Sequence, residues 1–504
     1  MVKVRLYWVC VLLFAVWSKV SAQTAPGALD NYSGSAGAWL NPSSLSTTFV
    51  HDDVGLPALS FSLGNGFAYL PPGTLWPSLV KLVKDGTWAV FDGVQPDKEY
   101  YYLYYQNERF KQLYQSAELL LPSMMMTVGG RHALSFSVRQ RFYTSATRMS
   151  WEIPVLITES LDYEAMHGIP YHSEGMRFAS MAWSEAAVSY STTVYDDGLL
   201  KVDAGVTGKL PLGAFGFAGR SDALHYQVVD GDNLFFDDFQ GDLQMALPVS
   251  YKASFADPSS FSQLEKPFYK GVGVGFDVGA SVTFRKEQRV LITPRSACDD
   301  APTSYFWRAG VSLLDLGQVR FKNNLLAKHM SGTSFMVNTH DFDQAGSIMD
   351  VAEVLDQELA GQVSTLDMVT AFSIGLPTAV SLQFDANILG DLYCGAVWIQ
   401  PVSRKLYGQA VEREPLLSVI PRYETSYFGV SVPLTLSCYR FATVGTFVRL
   451  GPLTFGTNDL LSLTSLGKTR ALDFFVGLRL KLDRGSCLFD PLIDACGGKH
   501  RFNW

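Results

Sequence analysis

Nine charged residues share one setting. Arg139, Arg141, Glu185, Asp203, Asp277, Arg285, Asp385, Asp473 and Arg479 lie in stretches where apolar residues alternate with polar ones, and all stand on the polar parity. A β-strand sends successive side chains to opposite faces. If the apolar faces meet lipid, these charges therefore line an interior, where opposite signs on facing walls pair with one another, hold an inserted segment, or select a solute. Structural pairing across such a lumen is the plainer role, and solute selection is the functional one.

Other residue groups carry less. Asp230, Asp232, Asn233, Asp237, Asp238 and Asp242 offer enough carboxylates for Ca²⁺ but lack the Gly-then-Glu spacing of an EF-hand, so they read as a solvated acidic loop. Ser33-Gly34-Ser35-Ala36-Gly37 lacks the first glycine of a nucleophile elbow and its strand-to-helix setting. There is no His-Glu-x-x-His, Cys-x-x-Cys or P-loop, and the glycines from Gly271 to Gly279 follow strand parity rather than a dinucleotide fingerprint. The expectation is no enzyme, no metal and no cofactor. Asn41-Pro42 has a plain physical role: proline fixes its own φ and drives the residue before it into extended backbone, giving a rigid turn. Gly34 and Gly37 beside it allow close backbone approach.

The elements that must position these residues are strands. From Gly271 to Arg285, Val272, Val274, Phe276, Val278, Ala280, Val282 and Phe284 alternate with Gly, Asp, Ser, Thr and Arg. The same period of two runs through Leu134 to Phe142, Leu200 to Lys209, Thr378 to Ile388, and Leu472 to Leu482, the last reading as a closing strand. Less regular candidates are Ala182 to Val194, Tyr305 to Leu313, Leu416 to Glu424, Tyr427 to Leu434, Ala442 to Leu450 and Pro452 to Gly456. With weaker segments between Ser60 and Met126 and around Gly213 to Tyr251, the fold class is all-β, a transmembrane antiparallel barrel of about 14 strands. One amphipathic helical stripe, Ile348 to Leu359, sits inside a long loop. Tyr100, Tyr101, Tyr102, Tyr104 and Tyr105 form either part of an interfacial girdle or a self-packed aromatic loop.

Bulk composition agrees. The chain has 504 residues, of which 17% are charged and 13% aromatic, fewer charges than a typical soluble domain carries. Lys3 and Arg5, an apolar run from Leu6 to Trp17, and Val20-Ser21-Ala22 read as a signal peptide over residues 1–22. Its loss takes the formal charge from −8 to about −11, which makes nucleic acid an improbable partner. Of six cysteines, Cys10 lies in the signal, and Cys487 and Cys496 flank a short proline-containing loop where a disulfide is plausible in an oxidising compartment. The expected organisation is signal 1–22, an N-terminal hatch or plug 23–55, a barrel 56–484 and a tail 485–504, with Trp504 an aromatic terminus of the kind barrel-assembly machinery reads.

Gly34-Ser35-Ala36-Gly37-Ala38-Trp39-Leu40-Asn41-Pro42, followed by Leu45, resembles the N-terminal segment of FadL-like outer-membrane transport proteins. The middle and end are similar to Bacteroidota outer-membrane barrels of unknown function with the same architecture: Trp183 to Tyr190 with Glu185, Leu313-Leu314-Asp315-Leu316-Gly317 leading to Arg320-Phe321-Lys322-Asn323-Asn324, Leu376-Pro377-Thr378, and Arg449-Leu450-Gly451-Pro452-Leu453. The resemblance implies a Gram-negative outer membrane, lipid as surroundings, and a hatch formed around Gly34, Gly37, Asn41 and Pro42. It also implies a transporter or channel for small molecules, hydrophobic ones included, although the polar parity shows no greasy track. The alternative is a non-transporting barrel acting as scaffold or partner in protein secretion, surface assembly or envelope maintenance.

Overall fold

A computed structural model describes residues 25–482, apart from positions 51, 78–79, 81–102, 106, 129–130, 160, 162, 287–304, 359–362 and 367–369. The signal peptide, Tyr100 to Tyr102, Cys298, Cys487, Cys496 and Trp504 lie outside the described residues.

Antiparallel strands close on themselves as a 14-strand barrel. β1 is Asp52–Asn65, β2 is Lys111–Leu120 continued by Ser123–Val128, β3 is His132–Met149, β4 is Pro170–Asp196 and β5 is Leu200–Val228. β6, Asn233–Ala246, lies off the barrel proper; β7, Gly271–Arg285, and β8, Tyr305–Phe321, return to it. β9, Leu325–Asn338, again lies off the barrel, and β10 follows as Phe372–Gly375 with Ala379–Leu389. β11 is Leu392–Pro401, β12 is Leu416–Glu424, β13 is Phe428–Ser431 with Leu434–Ser437, β14 is Phe441–Val444 with Thr446–Leu450, β15 is Leu453–Thr457 and β16 is Ala471–Leu482. The last strand pairs with the first, from Asp52 opposite Leu482 to Gly64 opposite Ala471. The closing strand expected at the end of the chain is this one.

Alternation dictates which side of the wall each residue faces. On β16, Phe474, Val476, Leu478 and Leu480 are exposed on the outside, while Asp473 is buried on the inside. Val272, Val274, Phe276 and Val278 form the matching exposed row on β7. Such rows recur around the barrel and make one continuous apolar belt, far larger than a water-soluble protein leaves bare. No helix among the described residues is long and apolar enough to cross a membrane.

The two ends differ. One end carries short turns, such as 197–199, 390–391 and 451–452, together with one longer connection, 286–304; the other carries most of the long connections, including 150–169, 229–270, 322–371 and 402–415. β4 and β5 are 27 and 29 residues long and outrun the belt on the long-loop side. There the second half of β5 leaves β7 and pairs instead with β6, which pairs with β9, so the sheet continues past the rim. Its outer face is covered by residues 247–261 and the start of the expected amphipathic helix, observed as Ile348–Glu358: Met245, Leu247, Val249, Tyr251 and Leu326 pack with Phe215, Phe217, Ile348 and Met349.

Candidate functional site in the barrel interior

The interior is filled in three layers, of which residues 25–50 form the one nearest the short turns. A short helix α1, Ala25–Leu29, and two 3-10 turns, Gly34–Trp39 and Pro42–Ser46, fold this segment inside the wall. Asn41 holds extended backbone (φ −157°, ψ 116°) ahead of Pro42, and its side-chain oxygen accepts from Ser43 N at 3.0 Å, capping the second turn. Its amide nitrogen donates into the wall, to Ala280 O at 3.2 Å and Gln383 Oε1 at 3.0 Å. Wall glycines make the seat. A Cβ on Gly205 would run into the Pro42 carbonyl group and one on Gly279 into the Asn41 side chain.

More bonds surround this slot. Ser43 Oγ donates to Ser281 at 3.0 Å, Ser46 and Ser191 share a hydrogen bond at 2.7 Å, and Ser312 Oγ donates to Leu40 O at 2.6 Å. Leu40 packs on Ala379, Val397, Ile399 and Ile420. On the opposite side the anchors are charged: Asp30 pairs with Arg449 at 2.8 Å, Asn31 N donates to Glu424 at 3.0 Å, and Ser35 N donates to Asp53 at 3.2 Å. Gly34 has φ +52°, and a Cβ there would press on the Asp53 carboxylate. Gly37 instead approaches Ser33 and Ser44 of its own segment rather than the wall. A cavity of about 50 Å³ remains between the segment and the wall, touching Asn41, Ser44, Arg308 and Gln383, room for a few waters.

Above lies a layer of ion pairs. Asp315 sits at a bulge where the register of β7 against β8 shifts, with φ +51°, and its carboxylate points inward. It receives Arg141 through two bonds of 2.9 Å, Lys209 at 2.5 Å, and the Arg413 guanidinium. Lys209 also reaches Asp277 at 2.7 Å; Arg141 also reaches Glu185 at 3.0 Å and Glu118 at 3.1 Å; Arg139 pairs with Glu185. Four cations face four carboxylates, and the buried charge is balanced.

Of the charges singled out in the sequence, Arg139, Arg141, Glu185 and Asp277 meet in this layer. The others lie elsewhere. Arg285 pairs with Asp196 at 2.5 Å, and Asp203 with Lys201 at 3.0 Å, near the short turns. Asp385 pairs with Arg422 at 2.6 Å. Arg479 reaches Asp53 at 3.2 Å and also donates to Ser33 O, so it holds the inserted segment. Asp473 accepts from the backbone of Asn458 at 2.5 Å, toward the long loops. Asp315, Lys209, Glu118 and Arg413 complete the central layer and were not singled out as lining residues.

The third layer is apolar, which differs from the polar interior that parity suggests. Tyr143, Met181, Trp183, Val319, Phe321, Phe372, Ile374, Leu376 and Val411 pack together, all but Phe372 under 2% exposed. Several of them come from stretches that do not alternate, Leu376-Pro377-Thr378 among them, which hid them. Trp183 Nε1 donates to Glu185 at 3.1 Å and so joins this layer to the charges below.

The remaining candidates take structural roles. The Asp230 carboxylate caps its own turn, accepting from Asp232 N and from the backbone and side chain of Asn233, each at 2.9 Å. These bonds, the Asn233 amide first, hold its pKa below the usual carboxylate range. Asp242 pairs with Arg220 and with His329. Among the described residues no three His, Cys, Asp or Glu side chains are grouped to hold a metal ion. Cys394 and Cys438 are free thiols.

Residues 54–458 match a sequence family described as a family of unknown function, DUF5723. The chain belongs to this family. No curated protein matches this DUF5723 member. Among solved structures it is similar to a Pseudomonas aeruginosa FadL homologue, at 11% identity and TM-score 0.37, covering 92% of this chain and 100% of that one. It is also similar to the Pseudomonas putida toluene transporter TodX, at 8% identity and TM-score 0.31, covering 92% and 98%.

Proposed function

We propose that the chain is an outer-membrane barrel, folded with the help of barrel-assembly machinery, that passes small molecules when residues 25–50 leave their seat as a hatch. The seating of that segment carries the reading. It closes the interior at the short-turn end, yet on the β4, β5 and β7 side it is held by hydroxyl and amide bonds in a glycine-lined slot. Each such bond is worth only about 0.5–1.5 kcal/mol net, and water can replace it. The apolar layer offers a hydrophobic solute a surface of Tyr, Trp and Phe once the packing opens.

Crosslinking tests this. Ser46 and Ser191 touch through their hydroxyls, so Ser46→Cys with Ser191→Cys, in a chain whose other cysteines are serine, ties the segment to the wall. Proteoliposomes are then offered a panel of small neutral and aromatic solutes. Uptake of at least one solute after reduction, and none when oxidised, is expected. Equal uptake in the two states removes the hatch, and no uptake in either removes transport.

One observation favours a second reading. The sheet formed by β4, β5, β6 and β9 beyond the rim exceeds what closing a barrel needs. A non-transporting scaffold would present it to a surface partner, and a stable co-purifying protein together with the absence of uptake would select that reading.

A further inference from the structure

Residues 402–415, between β11 and β12, belong to the long-loop end; Arg404, Lys405, Leu406 and Gly408 stay exposed at the rim, whereas residues 410–413 turn into the barrel and are buried. A turn of helix, α2, Ser403–Tyr407, is followed by Gly408 at φ +72°, which reverses the chain. Val402 N and Ser403 N donate to Thr378 O at 2.9 and 3.1 Å. Ala410 pairs with Gly375, with Gly375 N donating to Gln409 O at 3.0 Å and Val411 N to Gly375 O at 3.2 Å. Tyr407 OH accepts from Gly317 N at 2.7 Å.

The segment then crosses the interior to the opposite wall. Val411 is buried in the apolar layer, and Glu412 N donates to Ser145 Oγ of β3 at 3.0 Å. Arg413 donates to Pro377 O at 3.1 Å and places its guanidinium on Asp315. Arg413 is the one member of the central ion layer that comes from a loop; the other seven charges stand on strands. Its removal leaves four buried carboxylates facing three cations. The charge balance of the layer therefore depends on this loop being in place.

We infer that residues 402–415 are a second barrier in series with residues 25–50, latched by the Arg413 to Asp315 ion pair. This rests on the transport reading and adds its outer gate. A solute from the long-loop side meets this strap first, and the N-terminal segment only after passing the ion layer.

The test is single-channel conductance in planar bilayers for four forms: intact, residues 25–50 deleted, Arg413→Ala, and both changes together. Heat-modifiable gel migration first establishes that each form is a folded barrel; where the combined form fails this check, excision of residues 404–411 replaces Arg413→Ala. Steady conductance in the combined form, and none in the others, is expected. Full conductance from either single change overturns a barrier in series while leaving transport standing. A combined form that stays closed also overturns it, and the solute uptake measured with the crosslinkable pair decides separately whether the transport reading survives.

Discussion

Asp315 holds three cations at once, and its replacement shows what the ion layer contributes. Asp315→Asn keeps the shape but leaves Arg141, Lys209 and Arg413 short of a buried partner. Breaking a buried pair from one side costs about 3–5 kcal/mol, because the remaining charge loses both water and its counter-ion. Denaturant titration in lipid vesicles is expected to show a loss of that size, whereas Asp242→Asn, whose partners Arg220 and His329 are both partly exposed, costs under about 1 kcal/mol. Asn41 permits a finer separation. Asn41→Asp keeps the oxygen that caps Ser43 but loses the donor to Ala280 and Gln383, while Asn41→Ala loses both. Hydrogen exchange at the Ser43 and Ser44 amides is expected to rise slightly in the first and strongly in the second; equal effects would show that wall contact, not capping, orders the turn. Asn41 and Pro42 could be read from sequence because their constraint is local. Asp315 could not: it follows Leu313-Leu314 at a bulge, where parity shifts and a charge shows no face. Arg413 between Glu412 and Glu414 looks like an ordinary solvated charge until the loop is seen to turn inward.

At the scale of elements, a strand carries its two faces in its own sequence, so β7, β10, β12 and β16 were readable without knowing their partners. The expected Leu416 to Glu424 is β12 itself, and Thr378 to Ile388 differs from the main part of β10 by one residue at each end. Legibility failed around Gly213 to Tyr251 for a physical reason: near the rim, Ala218 and Ala246 pack on one face of the sheet and Phe217 and Met245 on the other, so the polar parity that marks a lipid-facing strand disappears there. The lipid belt makes its own prediction. Val476, exposed on β16 among Phe474, Leu478 and Leu480, stands at its middle. Val476→Arg is expected to cost about 2–4 kcal/mol in vesicles, and Leu480→Arg, nearer the short turns, about 0–1 kcal/mol. In a protein bathed by water both would fall within about 0.5 kcal/mol, as surface substitutions do, and that result would remove the belt.

For the whole molecule, the even strand number puts both ends of the barrel wall, Asp52 and Leu482, on one side, together with the short turns and the inserted segment. Bacterial barrels keep short turns toward the periplasm and long loops outward. With the outer-membrane location proposed above, the expected orientation puts the strap, then the ion layer, then the N-terminal segment along one path from outside to inside. An epitope placed at 230–232, in the turn between β5 and β6, is expected to bind antibody on intact cells. The same epitope at 390–391, between β10 and β11, is expected to bind only after the outer membrane is broken. Both sites are turns between paired strands, so neither insertion enters the ladder, and a difference between them reports sidedness rather than folding. The reverse pattern would invert the path: solute from outside would then meet the N-terminal segment first, and the strap would stand as an inner barrier.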